Sequence, residues 1–282
     1  MEKKYTLGEV NILIKTDFDF TDVERYIPFV SDFEKPDITY EFITVDELPE
    51  LPEEPIFYDG MVRIFRKDNV TYRCYAYSAD DSKAVMSDER INEGVFTVYV
   101  LRAALDGYRT EMRVFDHLAI EHIMALFHGT MLHSSFISYE GKAILFTAPS
   151  QTGKSTQAEL WRKHRNASVI NGDRSLIKLK DDTLYAYSLP YCGTSNICEN
   201  YNAPIQAIVV LRQAPYNRIT QLRPTVAFRN IYEGCATNIW YSDDVNVVCD
   251  LIEQMVKRVP IYLLECLPNE DAVNTLASEL GL

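Results

Sequence analysis

The chain has 282 residues, 47% of them hydrophobic and 24% charged, and carries a formal net charge of −13. That composition supplies one large core or two small ones and excludes disorder as the main state. The acidic excess, with no cluster of basic residues, argues against a nucleic-acid partner. No apolar run approaches the roughly 18 residues that a spanning helix needs, and the opening residues alternate instead of forming a leader's apolar stretch. A cytoplasmic protein with no membrane partner is therefore expected. The six cysteines include no C-x-x-C pair, which excludes a zinc ribbon or a dithiol redox motif by spacing.

In chain order, residues 5–16, 38–45 and 61–67 read as strands from their apolar alternation. Residues 69–78 also read as extended, paired with 61–67 through a turn at Lys67-Asp68-Asn69. Period two puts Tyr72, Cys74 and Ala76 on the face expected to be buried, with Thr71, Arg73, Tyr75 and Tyr77 on the other. The acidic, proline-containing stretch 46–55 reads as a surface loop. Residues 1–105 thus form an expected small β-rich unit that carries no visible chemistry, and 106–282 a second unit. Residues 113–131 are apolar around most of the circumference and predict a buried helix stopped by Gly129. His117, His122 and His128 fall on or beside it at spacings that do not share a helical face.

From residue 132 the pattern becomes strand 132–139, turn 140–141 and a continuous apolar strand 142–148. A helix from Lys154 to about His164 and a strand 167–172 follow. Further β segments are expected at 174–180, 183–189 and 205–212. A helix ending at Arg258, a strand 261–266 and a helix 269–280 close the chain. Strands mixed with helices predict an α/β or α+β fold.

The informative segment is Ala148-Pro149-Ser150-Gln151-Thr152-Gly153-Lys154-Ser155-Thr156. It matches the phosphate-loop pattern G-x-x-x-x-G-K-[ST] except for Ala148 at the first glycine, and it lies between an apolar strand and a helix, as the mechanism requires. Backbone N–H groups of Ser150, Gln151, Thr152, Gly153, Lys154, Ser155 and Thr156 are expected to cradle phosphates at the helix N-terminus. Lys154 would reach the β- and γ-phosphates, and Ser155 would place its hydroxyl on Mg²⁺. Asp173 ends the strand after the helix, where a second Mg²⁺ ligand belongs. His133 lies on the strand that the tight turn folds back beside the loop's entry strand. Cys192-Gly193-Thr194 reads as a loop near the site. Arg174, Arg212, Arg223 and Arg229 are candidates for a phosphate clamp.

His133-Ser134-Ser135, the segment from Gly141 to Thr156, and Gly172-Asp173-Arg174 together resemble the C-terminal domain of bacterial HPr serine kinases. That domain shares its nucleotide site with phosphoenolpyruvate carboxykinase. The resemblance extends over about residues 113–282 and includes Leu189-Pro190-Tyr191-Cys192-Gly193-Thr194 and the run from Val259 to Pro268. It is greatest to HPr-kinase-like proteins found beside peptide-modification genes. The resemblance implies a mixed-sheet phosphate-loop core, ATP or ADP with Mg²⁺ as cofactors, a protein or peptide acceptor and a homo-oligomer. It also implies Lys154 on the phosphates, Ser155 and Asp173 on the metal, and His133 beside Asp173. The chain departs from the kinases at Gly172, where they carry the aspartate that serves as general base.

Three functions follow as expectations. The first is an ATP-dependent phosphotransferase acting on a protein or peptide hydroxyl, with Lys154, Asp173 and His133 as its catalytic residues. The second, favoured by Gly172, is a nucleotide-binding module that regulates a partner without turnover. The third is a phosphatase or phosphorylase running the same in-line chemistry in reverse.

Overall fold

The computed structural model describes residues 1–75 and 83–282. The chain divides into two compact units, Met1–Ala119 and Ile120–Leu282. Both combine mixed sheets with helices, so the fold is α+β.

In the first unit the strands are β1 (Glu2–Leu7), β2 (Val10–Thr16), β3 (Ile38–Val45), β4 (Phe57–Tyr58), β5 (Val62–Lys67), β6 (Val70–Tyr75), β7 (Ala84–Ser87) and β8 (Val95–Leu101). They form one sheet in the order β1-β2-β3-β8-β7-β6-β5-β4. Strands β2, β3 and β8 run parallel, and the remaining neighbours are antiparallel. The expected single strand 5–16 is instead a hairpin. Gly8 and Glu9 both adopt positive φ, 54° and 68°, the left-handed geometry that a tight two-residue turn needs.

On β6, Cys74 is buried against Phe65 and Val85, as the alternation predicts. Thr71 and Arg73, assigned to the opposite face, are buried too. The Thr71 amide donates to Asp88 Oδ1 at 2.6 Å, and the Arg73 guanidinium lies over the Tyr75 ring and donates to its hydroxyl. The predicted positions Ala76 and Tyr77 lie outside the described residues.

The expected helix 113–131 is not continuous. Residues Glu111–Asp116 form a short helix, α1, and Ile120–Leu126 a second, α2. Ala119 between them has φ 45°, a left-handed step that no α-helix carries through. From Gly129 the chain is already strand. An all-round apolar pattern marks burial but does not distinguish a broken helix from a whole one.

His117, just after α1, is buried, with Nδ1 2.8 Å from the Arg113 carbonyl oxygen. The Tyr75 and Tyr108 rings pack on it. Burial, first, and the nearby Arg113 and Arg73 charges push its imidazole down to about 4. In the unfolded chain the ring takes its proton near pH 6.5. Between those values the unfolded state binds more protons, so the contribution is present above about pH 6.5 and is lost as pH falls towards 4. The expected loss is on the order of 3 kcal/mol. Urea unfolding of the wild type between pH 7 and pH 4 should fall more steeply than that of His117→Gln. Equal pH slopes for the two proteins would contradict it.

In the second unit the strands are β9 (Gly129–Tyr139), β10 (Lys142–Thr147), β11 (Ser168–Asn171), β12 (Arg174–Lys180), β13 (Thr183–Ser188), β14 (Asn202–Gln213), β15 (Arg218–Gln221), β16 (Cys235–Ala236) and β17 (Ile261–Cys266). The helices after α2 are α3 (Lys154–Arg165), α4 (Pro224–Gly234), α5 (Ser242–Arg258) and α6 (Glu270–Leu280). The path β10-β9-β12-β13-β14-β17-β15 closes on itself because β10 also pairs with β14. The long strands β9 and β14 bring this about. Each pairs with different neighbours along its two halves. Strands β10, β14 and β17 run parallel.

One core lies between these strands and α4 and α5, centred on Leu145, Ile208, Ile231 and Ile252. The other is built from Phe146, Val209 and Leu264 with Trp161 of α3 and Leu276 of α6. Trp161 is fully buried and meets the Tyr139 ring edge-on. It anchors the helix whose first turn follows the phosphate-loop motif. Among the described residues, no helix is long and apolar enough to cross a membrane.

Candidate functional site

Strand β10 is buried along Ala143–Thr147: parallel β14 and antiparallel β9 pair its two edges, and its alternating side chains enter the two cores, Ala143 and Leu145 one and Ile144 and Phe146 the other. At its end the chain turns through Ala148–Gly153 into α3. Gln151 has φ 63° and Gly153 φ 116°. Left-handed steps at these two residues, with Thr152 between them, turn backbone N–H groups to one side, as in an anion-binding concavity. A Cβ on Gly153 would meet no neighbour, so what demands glycine there is its φ alone. The first N–H groups of α3 have no helical partner and add the positive end of the helix dipole. Gln213, at the end of β14, donates from Nε2 to the Gln151 and Thr152 carbonyls, both at 3.4 Å, and ties the loop to the parallel strands.

A cleft of about 460 Å³ opens over this loop. From the loop it is lined by Ser150, Gln151, Gly153, Lys154, Ser155 and Thr156; around them stand His133, Gly172, Asp173, Cys192 and Ser195. Of the loop positions singled out in the sequence, Thr152 alone lines a neighbouring cleft instead. Lys154 is buried, and its ammonium donates back to the Ala148 and Pro149 carbonyls at 2.9 and 3.3 Å. Burial lowers its pKa, and the Asp173 charge opposes that shift.

His133 and Asp173 meet across the β9–β12 pairing. Arg174 is opposite His133, and the Ser134 amide donates to the Asp173 carbonyl at 2.9 Å. His133 Nε2 lies 3.2 Å from Asp173 Oδ1. The hydrogen bond from His133 holds the Asp173 carboxyl below the usual carboxylate range, against the opposing effect of burial; the charges of His133, Arg174 and Lys154 assist. The carboxylate is therefore ionised at neutral pH and is a weak base. When Nε2 donates to it, the other ring nitrogen of His133 is left to accept a proton.

Asn171 sets the turn that presents Asp173. It is fully buried, and its Oδ1 accepts from the Asp173 and Arg174 amides at 2.9 and 3.0 Å. Its Nδ2 donates to Ser188 Oγ and the Leu189 carbonyl. The Asn-Gly-Asp sequence carries that turn signal. Of the four arginines considered for a phosphate clamp, Arg174 lies beside Asp173, with Nε 3.7 Å from Oδ2. Arg212 pairs with Glu265, Arg229 pairs with Glu233 along α4, and Arg223 precedes α4 as its cap.

Ser195 carried no signal in the sequence, yet it lines the cleft. A Cβ on Gly172 would lie 2.1 Å from Ser195 Oγ and 2.6 Å from its Cβ. The Ser195 side chain thus fills the space that a side chain at position 172 would occupy, and its hydroxyl is held by the Cys192 carbonyl at 2.6 Å. Gly172→Ala is expected to destabilise the fold by about 1–3 kcal/mol, the usual range for overpacking. Adding Ser195→Gly should recover most of that loss in chemical denaturation. Equal stability of Gly172→Ala and wild type would contradict the close approach.

Among the described residues, no three His, Cys, Asp or Glu side chains gather into a metal cage. The Ser155 hydroxyl and the Asp173 carboxylate, which line the same cleft, are hard oxygen donors. Such a sparse set fits Mg²⁺, which keeps waters and phosphate oxygens in its shell, better than an ion that needs an all-protein site.

No curated protein matches the chain. A solved structure, the HPr(Ser) kinase/phosphatase from Coxiella burnetii, is similar at 12% identity over 53% of this chain and 94% of that one, with a TM-score of 0.31. The pattern of the ScmC family, described as SynChlorMet cassette protein ScmC, matches residues 116–269, more than half of the chain, which therefore belongs to that family.

Proposed function

We propose that the chain binds ATP or ADP with Mg²⁺ over the 148–156 loop and transfers the γ-phosphoryl group of ATP to the hydroxyl of a protein or peptide, leaving ADP. The observation that carries this reading is the convergence of Lys154, Ser155, Asp173 and His133 on one cleft. Lys154 and the loop amides bind the phosphates and stabilise charge on the transferring group. Ser155 and Asp173 would hold Mg²⁺, which neutralises phosphate charge when bound. Asp173 orients His133, and His133 takes the proton from the acceptor hydroxyl at its free ring nitrogen. The test is incubation with γ-labelled ATP and Mg²⁺ against serine-, threonine- and tyrosine-bearing peptides. Label on a peptide supports transfer. Tight nucleotide binding with no label on any peptide supports a second reading, a regulatory nucleotide-binding module. That reading is favoured by Gly172, whose side-chain space Ser195 fills.

A further inference from the structure

Beside the phosphate cleft lies a second one, of about 610 Å³, which shares Gln151, Gly153 and Thr156 with it. We propose that this cleft is the nucleoside half of the same site and takes an adenine base, with the exocyclic amine of the base bonded to Gln157. The proposal rests on the nucleotide reading above.

Three observations lead to it. The first is position. The cleft opens where the parallel strands β14 and β17 end, at Gln213 and Cys266, alongside the first turn of α3. In α/β folds, ligands bind at the carboxyl ends of the parallel strands, in closed as in open sheets. A nucleotide whose phosphates lie on Gly153 and Thr156 has its sugar and base within reach of that crevice. The second is lining. Leu211, Ala214, Leu267 and Pro268 supply apolar walls, and the volume is that of a small-molecule site. A flat heterocycle buries its two faces against such walls, whereas a phosphate gains nothing there.

The third is a single polar atom. Gln157 lines the cleft and is only 2% exposed. Its Nε2 donates to Cys266 Sγ at 3.2 Å. Its Oε1 is buried and has no hydrogen-bond partner among the described residues. Buried amide oxygens are nearly always paired, and with the nitrogen engaged on sulfur the atom of this amide that lacks a partner is an acceptor. Adenine carries an amino donor on its six-membered ring where guanine and hypoxanthine carry a carbonyl oxygen. A carbonyl there would set two acceptors against each other and leave both unpaired.

The experiment titrates the full chain, in Mg²⁺, with ATP, inosine triphosphate and inorganic tripolyphosphate. ATP is expected to bind about tenfold more tightly than either of the others. Gln157→Leu should bring ATP down to the inosine nucleotide and leave tripolyphosphate unchanged. Ala214→Trp, which fills the cleft, should weaken ATP by about tenfold or more and leave tripolyphosphate within about twofold. Should the tryptophan variant not fold, the wild-type ligand series and Gln157→Leu decide the matter. Wild type binding ATP no better than tripolyphosphate overturns the nucleoside assignment and leaves the phosphate loop standing. So does an unchanged preference for ATP over inosine triphosphate in Gln157→Leu. Wild type that binds none of the three overturns both readings together.

Discussion

His133→Ala is expected to lower single-turnover γ-phosphoryl transfer by roughly 10²–10⁴-fold while leaving ATP affinity nearly intact. The division follows from the two partners of the pair. Asp173 is held ionised by the hydrogen bond from His133 and the charges around it, so it is poorly suited to remove a proton from an alcohol. The imidazole pinned on it at 3.2 Å has a second nitrogen, oriented by the first. Removing the ring would remove the proposed base and leave the loop amides and Lys154 in place. Asp173→Asn is expected to act on both functions. It would disorient His133, and it would remove the carboxylate proposed to hold Mg²⁺ together with Ser155. Single-turnover transfer and nucleotide titration, run on the same two variants, separate these effects. A His133→Ala protein with the full transfer rate would return that ring to a structural role and leave the base to another group or to the substrate.

Lys154→Ala is expected to weaken ATP binding by roughly 10–100-fold, the equivalent of about 1.5–3 kcal/mol for a hydrogen bond to a charged group. The ammonium is the one cation of the loop itself, and it belongs to the first residue of α3, on the helix's buried side. It also bridges the Ala148 and Pro149 carbonyls, so the substitution loosens the loop's entry as well as removing the charge. Lys154→Arg would not substitute well. The planar guanidinium is longer and cannot place a compact charge against two carbonyls in a space that is already buried. Circular dichroism and urea unfolding on each variant separate lost binding from lost fold.

The stretch from β9 to α3 was legible in the sequence because several local signals agree there. An apolar run too short for a helix is followed by glycine and a helix start, and Glu140-Gly141 adopts positive φ at both residues, the geometry of a tight hairpin turn. The hairpin register, Thr147 against Ser134, then sets His133 beside the loop's entry, and its carbonyl accepts from the Thr147 hydroxyl at 2.9 Å. Other parts were not legible. Helix α4 is Pro-initiated and mostly exposed on one face, and no expectation covered it. The break at Ala119 leaves no mark in an apolar run, since burial on all sides hides the period of the helix. Ser195 reaches the cleft only through tertiary closure, when the loop after β13 folds against Gly172. No spacing rule connects residues 172 and 195. The cleft beside the phosphate loop is similar: it is assembled from the ends of α3, β14 and β17, more than a hundred residues apart between Gln157 and Cys266.

Everything proposed for this chain requires the cleft over the 148–156 loop to hold a magnesium nucleotide. Calorimetric titration of ATP into the full chain, with and without Mg²⁺, tests it most directly. The prediction is saturable binding at one site, strengthened by Mg²⁺, and weakened tenfold or more in Lys154→Ala measured under the same conditions. Absence of binding by the folded wild type, or an undiminished affinity in folded Lys154→Ala, would contradict it.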